Sequence, residues 1–427
     1  MCQRSGLVQR RSKQVNPRPP TLYIHSLEAD RLGDGLSTGE ASGLGGTVLR
    51  ALSSRAMYLS YPHDAIVVDA EPDPDLLSFL TSIGIDIGEW HVPSREGATL
   101  VQRMLADTDL MEAFRKRSMT LSPYMGGEEI QGLASKLGVQ ASTPPTPLLD
   151  TLNLKSNLQP ILVELGLPTI PTTITNRNDL IGATRTLFEE TGAVMVRSDL
   201  SIGGLGVWKI EQDSDIATLQ LDAQRSNPDR LFILQPLLDV TNSPNAQYEI
   251  TQQGFQFLGV SEQQMTQSFA FGGNEFPSPF GNDPRLIEQS DRVAEWLHTK
   301  GYLGLVGIDF IVTVDDHIYI VEINPRVNTS TFPLMLCSRL GRKAFRLVTG
   351  IPIGAHTGFQ QMAETISPDL LYDPNRGNGV IPLMIPSSSR PVLDAMVFAD
   401  DLDTLRSLCN VLSSRTRAFT AAAGVKS

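Results

Sequence analysis

The sequence predicts a chain that is α/β in its first third and α+β beyond it, and three observations carry that prediction. Short apolar runs alternate with helical periodicity over residues 21–137, as parallel strands covered by helices require. Pro144, Pro145 and Pro147 then interrupt the alternation in the run ASTPPTPLLD. Beyond the break, apolar runs come in pairs across short polar turns, the pattern of antiparallel hairpins. With 427 residues, 41% of them hydrophobic, the chain has material for about three packed domains and is not generally disordered.

In order, Thr21–His25 reads as a strand and the polar, glycine-rich residues 26–46 as a loop. Val48–Tyr58 reads as a helix, Ala65–Asp69 (AIVVD) as a buried strand, Pro74–Ile83 as a helix and Ile85–His91 as extended. Leu100–Arg117 and Gly127–Leu137 continue as helices. After the prolines, helices are expected at Lys155–Leu165, stopped by Gly166 and Pro168, and at Leu180–Thr191. Strands Ala193–Arg197 and Val207–Glu211 flank a glycine loop, and Leu231–Gln235 is an apolar strand ended by Pro236. Tyr248–Thr251 pairs with Phe255–Val260, Leu286–Lys300 is an amphipathic helix, and Gly307–Thr313 and Ile318–Asn324 are strands joined at Asp315-Asp316. Residues past 340 mix both signals, and no internal repeat is present. These breaks divide the chain into a tail (1–20), a first domain (21–148), two lobes (149–230 and 231–349) and a C-terminal region (350–427).

Lys and Arg number 35 against 47 Asp and Glu, a net charge of −12 that argues against a broadly basic nucleic-acid binder. Residues 1–20 carry Arg4, Arg10, Arg11, Lys13 and Arg18 and no acid, so the body is more acidic still. They contain no apolar core segment, which reads as a disordered tail and not a secretory signal. No run of 18 apolar residues offers a membrane span. Three cysteines, Cys2, Cys337 and Cys409, are odd in number and far apart, so neither a disulfide framework nor a zinc site is expected and a reducing cytoplasm is the default.

The segment GIDFIVTVDDHIYIVEINPR (307–326) is the most informative. A hairpin turning at Asp315-Asp316 sets Asp309 opposite Glu322, with Cβ atoms roughly 5 Å apart. Asn324 shares their face. Two facing carboxylates repel unless a cation lies between them, and Asp, Glu and Asn present the hard oxygens that suit Mg²⁺. Ile308, Phe310, Val312, Tyr319, Val321 and Ile323 are expected on the core side, and Ile311 and Ile320 among the acids. Arg326 is placed to meet charge developing on a transferred group. Upstream, RSDLSIGGLGV (197–207) brings Arg197 and a loop in which Gly203, Gly204 and Gly206 free backbone N–H groups to turn toward phosphate oxygens. Lys155 opens a helix, and LFILQPLL (231–238) is an apolar strand able to seat an aromatic base.

Taken in order, Lys155, the loop after Arg197, a hinge at Gln235 and Leu237, and Asp309, Glu322, Asn324 and Arg326 resemble the ATP-grasp superfamily over residues 150–335. The most specific part is D-x12-E-x-N-P-R, matched by Asp309, Glu322, Asn324, Pro325 and Arg326. The resemblance implies an N-terminal pre-ATP-grasp domain, a two-lobed ATP-grasp fold and a small C-terminal α+β region. It implies that Asp309, Glu322 and Asn324 hold Mg²⁺ on the phosphates of ATP, and that Arg326 steadies an acyl-phosphate step. Lys155 matches the first phosphate-binding lysine; Arg197 stands where the second lysine is usual, keeping the charge in a planar fork. More narrowly, YIHSLE (23–28), RAMYLSYPHDAIVV (55–68), SPYMGGEE (122–129) and FGGNEFP (271–277) resemble the pheganomycin-type peptide ligases, with Gly272, Gly273 and Asn274 on a second loop near the acceptor.

The activity implied is an ATP-dependent carboxylate–amine ligase, forming an amide or peptide bond through an acyl phosphate and releasing ADP and phosphate. Its partners are small-molecule carboxylates and amines, not nucleic acid or membrane, and a homodimer is compatible with it. Transfer to a carrier-protein thiol and a non-catalytic nucleotide-binding scaffold are the alternatives. GLSTG (35–39) fits the hydrolase G-x-S-x-G, but no strand runs directly into Ser37. A dinucleotide reading would use Gly43, Gly45, Gly46 and Asp69, but Val48 occupies the third glycine's place.

Overall fold

The computed structural model describes residues 18–27, 49, 51–200, 206–224, 230–265, 271–354, 358–387 and 390–423, and the strands among them form three sheets. The GLSTG motif and Gly43, Gly45 and Gly46 lie outside the described residues.

The first sheet is built from β1 (Thr21–Ile24), β2 (Ala65–Val67), β3 (Glu89–His91), β4 (Thr120–Pro123) and β5 (Gln140–Ala141), all parallel, in the order β3-β2-β1-β4-β5. Leu22, Ile24, Ala65, Val67 and Leu121 bury one face under the helices Leu100–Ala106, Thr108–Arg115 and Glu128–Leu137. The single helix expected over Leu100–Arg117 is broken at Asp107. Its carboxylate caps Leu110 N–H and also accepts from the Ser94 N–H and hydroxyl, which holds the chain out of helical geometry there. Asp69 is paired with Arg103 at 2.5 Å, so the acid that a dinucleotide ribose would need is already engaged.

The second sheet, β6 (Thr173–Asn176), β7 (Val194–Ser198), β8 (Val207–Ile210) and β9 (Leu231–Pro236), is antiparallel in the order β6-β9-β7-β8. Val194, Val196, Ile210, Phe232 and Leu234 point to the helices Leu180–Thr191 and Asp213–Gln224.

The third sheet has nine antiparallel strands. They are β10 (Val240–Asn242), β11 (Pro244–Thr251), β12 (Gly254–Met265), β13 (Phe271–Phe276), β14 (Gly304–Thr313), β15 (Ile318–Asn324), β16 (Ala344–Pro352), β17 (Gly379–Met384) and β18 (Val392–Ala399). β15 lies along one side of β14, while β10 and β11 run end to end along the other. β12, β13, β16, β18 and β17 continue the sheet from β11. Alternation divides its two faces: Ala246, Tyr248, Ile250, Ile308 and Phe310 pack with Val293, Ala294 and Leu297 of the helix Pro284–Thr299. The opposite face is polar, with Asn245 directly across from Asp309.

A further core joins the first sheet to the third, with Tyr23, Met57 and Ile66 packed among residues that include Phe345, Val397 and Leu412. Backbone pairing adds to that join: Met125 bridges Arg326, and Val327 N–H donates to Tyr124 C=O at 2.8 Å. Among the described residues, no helix is long and apolar enough to cross a membrane.

Candidate active site

The β14–β15 hairpin sets Asp309 opposite Glu322 and Gly307 opposite Asn324, the pairing the sequence predicts. Two offsets that cancel produce it. Thr313 N–H donates to His317 C=O, so the turn has three residues, Val314, Asp315 and Asp316, with Asp316 at φ +63°. One extra residue, Val321, then bulges from β15 between the Asp309–Glu322 and Phe310–Ile320 pairs. The bulge corrects one expectation: Ile320 turns into the core at 3% exposure, while Tyr319 and Val321 leave it half-buried and Val321 lines the cleft. At Gly307 a Cβ would fall 2.3 Å from Asn328 Nδ2, so the missing side chain makes room for that amide.

Asp309 accepts hydrogen bonds from Asn245 Nδ2 at 2.6 Å and Asn324 Nδ2 at 2.8 Å. Burial, then the Glu322 charge, push its carboxyl up to about 6. Burial also works to raise Glu322, but Lys155, whose Nζ lies 3.1 Å from Oε1, together with Arg326 and Arg197, holds it below the usual carboxylate range. Two hard-oxygen acids in this condition are what a divalent cation relieves. Among the described residues no three His, Cys, Asp or Glu side chains converge. An ion here would therefore rest on two carboxylates and an amide, with phosphate oxygens completing its shell.

Lys155 is held by its neighbours. Its N–H donates to Asp199 C=O, and Ser156 gives Asp199 both its N–H at 2.7 Å and its hydroxyl at 3.0 Å. Asp199 directly follows β7, so one carboxylate joins the lysine's turn to the start of the glycine loop. Arg197 reaches across to Val321 C=O at 3.2 Å and to Gln235 Oε1 at 2.9 Å, and Gln235 Nε2 is fixed by Thr172 Oγ1. The Gln235 side chain therefore orients the arginine. Leu237 lines the cleft, but its N–H is already given to Ala193 C=O. Arg326 donates to Tyr124 Oη at 3.4 Å, Val327 C=O at 3.3 Å and Asn324 Oδ1 at 2.9 Å, with its guanidinium 6.0 Å over the Tyr124 ring.

These groups face a cleft of about 910 Å³ between the second and third sheets, lined by Lys155, Arg197, Gln235, Leu237, Asp309, Glu322, Asn324 and Arg326. Gly206 sits at the end of its loop with φ +68°, and Gly203 and Gly204 lie outside the described residues. Gly272, Gly273 and Asn274 are not on a loop. They form part of β13 between β12 and β16, and of the three Asn274 lines the cleft. Gly273, at φ +137°, is needed for strand contact, since a Cβ there would meet Leu347 C=O at 1.9 Å.

Sequence reasoning missed three cleft residues. Lys209 follows Val207 by two residues, and Val207 pairs with Arg197, so period-two alternation puts Lys209 on the arginine's face. Asn245 and Tyr124 carry no such signal, because their partners Asp309 and Arg326 are 64 and 202 residues away.

Residues 196–324 match the family described as L-aspartate–L-methionine ligase, ATP grasp. Over 93–94% of its length the chain is similar in fold to solved structures at low identity. Biotin carboxylase from Campylobacter jejuni, in a β,γ-ATP complex, is 14% identical with a TM-score of 0.61, over 94% of this chain and 94% of that one. The N5-carboxyaminoimidazole synthetase of Staphylococcus aureus is 10% identical with a TM-score of 0.56, over 93% and 97%. The carboxyaminoimidazole ribonucleotide synthase of Aspergillus clavatus, complexed with ATP, is 14% identical with a TM-score of 0.56, over 94% and 99%.

Proposed function

We propose that this chain, which matches an ATP-grasp family over residues 196–324, is an ATP-grasp ligase that uses ATP to join a carboxylate to an amine. The observation that carries the reading is the Asp309–Glu322 pair, facing one cleft with Lys155, Arg197 and Arg326. The matched family's description names two amino acids, and we take amino acids or short peptides as the substrate class.

Mg²⁺, when bound, supplies charge neutralisation across the phosphates, and Asp309, Glu322 and Asn324 are the residues suited to hold it. Lys155 and Arg197 flank Glu322, with Lys209 as a further cation on the same wall, and these cations are assigned to the phosphate oxygens. Leu237, which lines the cleft, is assigned to the adenine side, and Gln235 serves nucleotide binding by fixing Arg197. A substrate carboxylate oxygen takes the γ-phosphoryl group as the bond to ADP breaks. The amine nitrogen then forms the C–N bond, phosphate leaves, and the nitrogen gives up a proton. Arg326, braced by Tyr124 and Asn324, is assigned to the charge on that phosphoryl group. Asn274, which lines the cleft, is assigned to the substrate. A cytoplasmic setting fits an ATP-consuming enzyme.

The test is product analysis with amino-acid and peptide mixtures. ADP and phosphate are expected only when a carboxylate and an amine are both present; AMP and pyrophosphate as products exclude the mechanism. Glu322→Gln is expected to lower turnover by about 100-fold or more with the fold intact, and full activity in that variant removes the metal assignment.

A further inference from the structure

Beyond the carboxyl ends of the parallel strands, a second group of polar side chains lies one aromatic ring away from the cleft. The order β3-β2-β1-β4-β5 places the change of direction at β1, and in open parallel sheets ligands settle outside the strand ends at that point. His25 and Ser26 follow β1 there, and Tyr124 follows β4. His25 is 0% exposed and Ser26 1%. Among the described residues, neither ring nitrogen of His25 nor the Ser26 hydroxyl has a hydrogen-bond partner. Buried polar groups left in this state cost free energy unless a ligand or water satisfies them. The His25 ring packs 5.8 Å from that of Tyr124 and 5.9 Å from that of Phe332. Arg326 lies over Tyr124, so His25 and Arg326 both rest against the same ring.

Arg55 brings the charge. It is buried, and its Nη2 donates to Asp394 Oδ2 at 2.9 Å. Arg390 Nη2 meets both oxygens of the same carboxylate, at 2.8 and 2.7 Å, and Gly350 N–H donates to it as well. Two guanidiniums, the buried Arg55 and the partly exposed Arg390, thus share one buried carboxylate, and the group carries a net positive charge. Arg55 Nε has no partner among the described residues. Leu27, next to Ser26, and Leu52, one turn before Arg55, share a buried cluster against which Tyr124 packs, which brings these segments together. A simple tie between the 3-10 helix Leu52–Leu59 and β18 needs one arginine on Asp394. A second arginine, an imidazole and a hydroxyl, the latter two unpartnered among the described residues, are the complement of an anion.

We propose that Arg55, His25 and Ser26 form a carboxylate subsite beside Tyr124, which holds a substrate carboxylate other than the one phosphorylated beside Arg326. The inference rests on the ligase reading above and adds to it that one substrate carries a spare carboxylate. That group comes either from a dicarboxylate donor or from the acceptor amino acid's own carboxyl.

Calorimetric titration of the full chain without nucleotide separates these. Succinate bound in preference to its monoamide marks the donor; L-methionine bound in preference to L-methioninamide marks the acceptor. Arg55→Met and His25→Phe are each expected to weaken the preferred carboxylate about tenfold or more, with MgATP affinity unchanged. His25→Phe removes no hydrogen bond among the described residues, so it keeps the test open if Arg55→Met fails to fold. Carboxylate and amide binding alike to the wild-type chain, neither binding, or a folded His25→Phe chain binding as the wild type overturns the subsite. Loss of MgATP binding in the wild-type chain instead overturns the ligase reading.

Discussion

Asp309 and Glu322 face each other yet lie under opposite electrostatic conditions. Burial and then Glu322 push Asp309 up to about 6, while Glu322 is held low, against its own burial, by Lys155, Arg326 and Arg197. A carboxyl whose folded value is raised contributes its stability at low pH and loses it as pH climbs from its ordinary value through about 6. Asp309 therefore works against the nucleotide-free fold at neutral pH. Asp309→Asn is expected to raise the melting temperature of that form at pH 7.5 by a few degrees while abolishing turnover, and an unchanged or lower melting point would contradict this. His25 runs the other way, held down to about 3 by burial and then by Arg55. Its neutral ring supports the fold fully above its ordinary value of 6.5, and the contribution is lost as pH falls toward 3. Urea unfolding should show about 2 kcal/mol lost between pH 7 and pH 5 through this residue, absent from His25→Phe.

Among the elements, the hairpin shows how far local sequence reaches. Its acids were legible because a strand's period of two fixes which residues share a face. The three-residue turn and the Val321 bulge were not, since each shifts the register by one in opposite senses and their sum leaves no trace at Asp309. Only the facing of Tyr319, Ile320 and Val321 records them. In β13 the failure has another cause. A Gly-Gly-Asn run reads as a turn because glycine permits turn conformations. Here Gly273 instead admits the backbone of β16, where a side chain would strike Leu347 C=O. Gly273→Ala should cost about 2–4 kcal/mol in denaturant unfolding; a loss within error would mean that β13 and β16 can separate without penalty.

For the whole molecule, the alternation of strands and helices gave the parallel sheet, and the paired apolar runs gave the antiparallel ones. The spacing of Lys155, Arg197, Asp309, Glu322, Asn324 and Arg326 was enough to gather one cleft. What stayed hidden was non-local: Tyr124 under Arg326, and β17 and β18 extending the sheet that holds the hairpin. No window of sequence contains both partners of such contacts. The core that packs Tyr23 and Met57 with Val397 and Leu412 has a bearing on how the protein is made. Arg55 waits for Asp394, 339 positions further along, which a ribosome adding about 5–20 residues per second delivers roughly twenty seconds to a minute later. During that interval the emerging N-terminal layer displays an apolar flank with no cover. The newborn chain is at its most vulnerable to chaperone capture and clumping before β18 and the helix Leu402–Ala423 leave the exit tunnel.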